Sequence, residues 1–172
     1  MLNMINIVLY EPEIPTNTGN IMRTCVATGT RLHLIEPLGF LLDDKNIKRS
    51  GVNYIDKLEY FVYKNWEDFL SKNNGEFYYF TRYGHKPHTS FDYSDTTKDI
   101  YLVFGKESTG IPKEILRPNL DRCMRIPMTK NVRALNLSNC CAIVVYEVLR
   151  QQNYNNLLFE EPHKDKDFIN LD

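Results

Sequence analysis

The chain has 172 residues, 42% of them hydrophobic and 25% charged, a size and balance that suit one globular domain. Lysine and arginine number 21 against 22 aspartate and glutamate, a formal net charge of −1, which excludes the strongly basic make-up of a nucleic-acid coat protein but leaves room for one basic face. No apolar run approaches the ~18–20 residues of a membrane span, and the start lacks the basic-then-apolar plan of a signal peptide, so a cytoplasmic protein is expected.

Residues 5–10, INIVLY, form a short apolar run rich in β-formers and read as a buried strand. Pro12 and Pro15 break it. Asn17-Thr18-Gly19-Asn20 reads as a turn, and Ile21, Cys25 and Thr28 follow at helical spacing up to Gly29, a helix stop. Residues 31–36 read as a second strand. Residues 43–50 are charged and helix-like, with Gly51 as their stop. Residues 58–63 are a third strand, and Asn65 can cap a helix over 66–72. Residues 77–81 are an aromatic strand, 85–99 a polar loop, and 100–104 the clearest buried strand. A short helix over 111–116 and a last strand over 124–128 follow. Residues 136–151 are a long helix with Leu137, Cys140, Cys141, Val144, Val145 and Val148 on its apolar face, and 157–172 a loose polar tail. Strands alternating with helices predict an α/β domain with a mostly parallel sheet, whose ligands sit at the carboxyl ends of the strands.

The cysteines Cys25, Cys123, Cys140 and Cys141 have no zinc-type spacing, and no metal site is expected. Of the four histidines, His33 falls inside a strand and reads as a core or sheet-edge residue. Three strands end in unusual loops. In the first, Gly19 permits close backbone approach and Asn17 or Asn20 can cap a helix; connecting loop and ligand site both stay open. The second, Gly105-Lys-Glu-Ser-Thr-Gly110, lacks the lysine of a phosphate-binding P-loop, and Glu107 would repel phosphate. In the third, residues 126–139, Asn136 or Ser138 can cap the long helix, which leaves the interleaved Leu135 and Leu137 unexplained.

Taken together, Asn17-x-Gly19-Asn20-Ile21-x-Arg23, Phe104-Gly105-x-Glu107-x-x-Gly110-Ile111-Pro112, and Arg125-Ile126-Pro127-Met128 leading to Leu135-Asn136-Leu137-Ser138-Asn139 resemble the three motifs of the SPOUT RNA methyltransferases. The opening LYEPEIPTNTGNIMRTC and the central IEPLGF resemble one branch, the TrmL-like tRNA (cytidine/uridine-2'-O-)-methyltransferases, which modify the wobble nucleotide of certain leucine tRNAs. The resemblance covers about residues 4–154. It implies a single SPOUT domain over 1–156 with a C-terminal trefoil knot, although true knots are rare. It also implies S-adenosylmethionine as cofactor, tRNA as partner, and a homodimer in which each site is completed by the second subunit. By the same resemblance Arg23, Glu107 and Asn136 are catalytic, and Phe80, Gly105, Ile126, Met128, Ala134 and Leu135 hold the cofactor. Asn17, Asn20, Arg23, Arg133 and Tyr146 face RNA, with Lys45, Lys48, Arg49 and Lys130 as further backbone contacts. A guanidinium does not give up its proton at ordinary pH, so Arg23 is expected to anchor phosphate and stabilise developing negative charge rather than act as base. Two departures from the branch pattern, Thr109 for arginine and Ala134 for serine, bear on substrate choice. The alternatives are methylation of another RNA site and a non-catalytic RNA-binding module.

Overall fold

The structure, a computed structural model, describes residues 4–42, 55–163 and 169. The helix expected over 43–50, its stop Gly51, and Lys45, Lys48 and Arg49 lie outside the described residues, as does most of the tail beyond 163. Among the described residues seven strands are present: β1 (Ile5–Tyr10), β2 (Arg31–Ile35), β3 (Tyr60–Tyr63), β4 (Glu76–Phe80), β5 (Lys86–Pro87), β6 (Ile100–Gly105) and β7 (Cys123–Arg125). The helices are α1 (Pro15–Thr28), α2 (Trp66–Lys72), α3 (Lys113–Leu116) and α4 (Leu137–Gln151). The strand order is β3-β2-β1-β6-β4-β7-β5, and every pairing is parallel.

The apolar runs of β1 and β6 occur because these strands are central and covered on both faces. Their side chains alternate between two cores. Ile7, Leu9, Leu102 and Phe104 pack with Ile21, Met22 and Cys25 of α1 and Cys141, Val144, Val145 and Val148 of α4. Val8, Tyr101 and Val103 pack on the other side with Phe69 of α2 and Leu116 of α3. Each such aliphatic side chain, fully buried, contributes about 1.5–3 kcal/mol, and a charge at Val144 would disrupt the packing of α4 against the sheet. Among the described residues no helix is long and apolar enough to cross a membrane.

Local signals set most boundaries. Asn65 accepts the Asp68 N–H at 2.8 Å and caps α2. Asn136 accepts the Ser138 N–H at 2.9 Å and caps α4. Gly29 closes α1 in the left-handed conformation, φ 66°, which costs glycine little. Two regions differ from expectation. Residues 17–20 are not a turn: α1 already starts at Pro15, whose ring presets a helical φ at the first position. Gly19 is therefore helical, Asn17 and Asn20 are not caps, and Arg23 stands in the body of the helix rather than its first turn. Residues 85–99 are not simply a polar loop. They contain β5, which pairs with β7, and Tyr93, which is 1% exposed. The Tyr93 hydroxyl donates to the His88 carbonyl at 2.9 Å, and its amide donates to the Gln151 side chain at 2.8 Å. The last strand also stops at Arg125, short of the expected Met128.

His33 is a core residue. It is 3% exposed and its ring nitrogens lie 2.9 Å from the Tyr63 hydroxyl and 3.0 Å from Asn6 Oδ1. Burial, and then the nearby Arg31, lowers its pKa from 6.5 to about 4. Between those values the unfolded chain binds the proton and the folded chain does not, so stability falls as pH falls. The contribution of this residue is complete above about pH 6.5 and decreases by on the order of 3 kcal/mol toward pH 4. Urea unfolding across that range should show a steeper acid loss for the wild type than for His33→Gln; parallel profiles would contradict the assignment.

Candidate active site

Because all strands run parallel, β1, β4, β6 and β7 deliver their carboxyl ends to one edge of the sheet, where a cleft of about 280 Å³ opens. Its wall includes Asn17, Phe80, Gly105, Glu107, Ala134, Leu135 and Asn136. A smaller apolar recess of about 90 Å³ continues it between Phe80, Phe104, Ile126, Met128, Leu135 and Cys140. All six residues assigned to the cofactor line one or both of these spaces. Phe80 and Phe104 stack with centroids 4.9 Å apart and form its floor.

Hydrogen bonds lock the three loops together. The Glu107 carboxylate accepts the backbone N–H groups of Glu13 at 2.8 Å and Ile14 at 3.2 Å. It thereby caps α1, whose own N-cap residue, Ile14, offers no side-chain acceptor. The same carboxylate accepts from the Asn17 side-chain amide at 3.2 Å. Asn136 in turn donates to Asn17 Oδ1 at 2.9 Å, while its own oxygen receives Ser138 N–H and O–H. A reciprocal contact runs the other way: Glu13 accepts the Ser108 N–H and O–H, both at 2.8 Å, which hold its carboxyl below the usual range. Lys106 pairs with Glu11. Glu107, the acid assigned to catalysis, is thus engaged in fixing α1 and Asn17 against the other loops.

At Gly105 the backbone is closely packed. Its φ is 101°, and a Cβ there would stand 2.5 Å from the Tyr10 carbonyl oxygen of the adjacent strand. The residue is glycine because β1 and β6 pair closely here, besides any demand of a ligand.

The RNA-facing assignments are not brought into the cleft, Asn17 excepted. Asn20 and Arg23 are exposed on α1 and Arg133 is exposed beside Ala134. Tyr146, 47% exposed on α4, lines a separate hollow of about 480 Å³ with Ala27, Leu158 and Phe159. Conversely, Thr81, Arg82, Tyr83 and Lys106 line the cleft and were not singled out above. Their position directly after the ends of β4 and β6 is the signal that could have found them. Among the described residues no cluster of metal-ligating side chains occurs.

The SpoU rRNA Methylase family matches residues 4–146. The chain belongs to that family. A Geobacillus stearothermophilus relative is 55% identical over 154 residues, spanning 89% of this chain and 98% of its own, and is provisionally named tRNA (cytidine(34)-2'-O)-methyltransferase. A Saccharophagus degradans relative bears that name outright and is 46% identical over 153 residues, spanning 88% and 97%. A solved structure described as "Structural insights into the 2-OH methylation of C/U34 on tRNA" superposes with a TM-score of 0.81 at 35% identity, covering 89% of this chain and 99% of its own. The SpoU chain therefore has the all-parallel α/β architecture of RNA methyltransferases, as its motifs suggested.

Proposed function

We propose that this SpoU chain transfers a methyl group from S-adenosylmethionine to the 2'-hydroxyl of the wobble nucleotide, cytidine or uridine 34, of tRNA, leucine tRNAs among them. The observation that carries the reading is the meeting of the three motif loops around one cleft, in a chain 55% identical to its Geobacillus relative. The residues fit the cofactor: Phe80, Ile126, Met128 and Leu135 offer an apolar slot for an adenosyl group, and strand-end backbone groups border it. When bound, the cofactor supplies an electrophilic methyl group. Gly105, Ala134 and Leu135 hold it, while the Glu107–Asn17–Asn136 chain fixes the loops so that donor and ribose meet in line. Arg23 and Arg133 are the anchors for RNA phosphate, and Arg23, which lies outside the cleft of its own chain, stabilises charge developing on the ribose oxygen in the site that the second subunit completes. A 2'-hydroxyl target also separates RNA from DNA.

The same reading includes a homodimer, a trefoil knot in the C-terminal third and a cytoplasmic location, where tRNA is modified. Supporting the dimer, Ile143 and Tyr146 on α4 are 39% and 47% exposed, with Leu158 at 75% and Phe159 at 82% nearby in sequence to the helix end. The interface should exceed roughly 1,000 Å². Light scattering at micromolar concentration should give twice the 20.2 kDa chain mass, and Ile143→Glu should reduce it to the monomer; a wild-type monomer would rule out a shared site.

The decisive assay is transfer of labelled methyl from the cofactor into total tRNA, with mapping of the modified nucleotide. Label at position 34 is expected. A second reading, the same chemistry at another RNA position, is favoured by one observation: Thr109 and Ala134, the two departures from the branch pattern, both line the cleft. Label elsewhere would establish it.

A further inference from the structure

One side chain at the mouth of the cleft has a chemistry that neither the motifs nor the loop network uses. Tyr83 follows β4, lines the cleft and is 63% exposed. A singly exposed aromatic is ordinary on a protein surface; what sets this one apart is its place at the mouth of the cleft on a held element. The element is rigid here: the Thr81 N–H donates to the Met124 carbonyl at 2.9 Å, and the Gly84 N–H returns to the Thr81 carbonyl at 3.2 Å. A Cβ at Gly84 would stand 2.4 Å from the Met124 backbone, so the turn is pressed against β7. The ring itself is held. The Arg82 guanidinium carbon lies 4.7 Å from its centroid, and Arg82 Nη2 donates to its hydroxyl at 2.5 Å. With a guanidinium on one face and the hydroxyl engaged, the exposed area of Tyr83 is its other face and edge.

We propose that Tyr83, backed by Arg82, is a stacking platform for one unpaired nucleobase of the substrate RNA, at or next to the nucleotide whose ribose enters the cleft. An aromatic ring and an arginine plane are the groups on which splayed bases of single-stranded RNA stack. The cation behind the ring adds attraction for the negative backbone on either side of that base. The turn is preorganised, so little ordering is required when the base docks. Tyr83 touches only the larger space and is absent from the wall of the apolar recess around Ile126 and Met128, which separates it from the adenosyl slot. This inference rests on the reading of the cleft as a methyl-transfer site.

The test uses the full-length protein with an anticodon stem-loop RNA carrying cytidine or uridine 34. RNA affinity is read by fluorescence anisotropy, cofactor affinity by calorimetry, and methyl transfer by kinetics. Tyr83→Ala should weaken RNA binding and raise KM for RNA by roughly tenfold or more, the scale of one lost stacking contact. kcat should stay within about threefold, and cofactor affinity should stay unchanged. Tyr83→Phe, which keeps the ring, should behave nearly as wild type. RNAs made abasic at position 34 or at either neighbour identify the base: at one of them wild type and Tyr83→Ala should bind alike. Unchanged RNA affinity in Tyr83→Ala, a loss in cofactor affinity instead, or a penalty that persists at all three abasic positions would overturn the proposal. Wild type that binds RNA without transferring methyl would sink the functional reading alone, since Tyr83 is still judged by its binding curves. Wild type that binds no RNA would sink both.

Discussion

Arg23→Ala should lower single-turnover methylation of a leucine tRNA by about 100-fold or more at saturating cofactor, as when a preorganised electrostatic group is removed. Dimerisation is expected to persist on the apolar residues of α4, and cofactor affinity should hardly change, because Arg23 lies outside the cleft wall. Its neighbours at helical spacing, Asn20 and Ala27, are exposed on the same face of α1, while Asn17, Thr18, Ile21, Met22 and Cys25 turn inward. Arg23→Lys should recover little of the loss: lysine keeps the charge but lacks the planar fork that grips a phosphate in two places. A merely solvated arginine in the body of a helix makes the opposite forecast. Removing it would leave the rate untouched and alter helix stability by a few tenths of a kcal/mol in alanine's favour. Near-wild-type rates in Arg23→Ala would return α1 to a scaffold role.

A second large effect is expected at Gly105, in stability rather than rate. Gly105→Ala places a Cβ 2.5 Å from the Tyr10 oxygen at a backbone φ of 101°. The left-side conformation costs about 1–3 kcal/mol for a residue with a side chain, and the overlap costs about 1–3 kcal/mol more. Both act at the pairing of Tyr10 with Gly105 in the centre of the sheet. Thermal unfolding should fall by roughly 10 °C, and Gly105→Val should be worse. Loss of cofactor binding in either variant therefore reports on the sheet. Leu135→Ala, in the cleft wall, is the cleaner probe of the cofactor slot. A Gly105→Ala protein within about 1 kcal/mol of wild type would show that β1 and β6 can separate without cost.

What was legible in the sequence was whatever is decided by neighbours along the chain. The buried strands β1 and β6 announce themselves as apolar runs, and Gly29, Asn65 and Asn136 mark helix ends by chemistry confined to one turn. The six residues assigned to the cofactor converge because a parallel sheet gathers its carboxyl ends, a consequence of topology that needs no distances. The start of α1 was not legible, because the group that caps it, Glu107, lies more than 90 residues away. Asn17-Thr-Gly-Asn20 carries turn-forming side chains that would compete with a helix if left alone. Tyr93 was missed for the same reason: its backbone is held by Gln151 and Gln152 at a distant helix end, and its ring packs against Tyr78 and Met124. The pairing of Arg82 with Tyr83 carried no signal in the sequence, since exposure and a cation over a ring are properties of the folded surface.

The distance between Glu107 and the helix it caps has a consequence for how this protein is made. Among the described residues no two strands join through a hairpin; every ladder is parallel, and the central one pairs residues 5–10 with 100–105. Closing so long a loop must precede the contacts that reward it, which places the chain among slow, non-local folders. On the ribosome, where the N-terminal part emerges first, β1 and β2 can pair while α1 still lacks its cap. The amides of Glu13 and Ile14 that lead into α1 receive their acceptor, and Asn17 its partners, only when residues 107 and 136 have been synthesised. The nascent chain therefore carries no assembled cleft through most of its synthesis, and catalytic competence arrives as a late, single event.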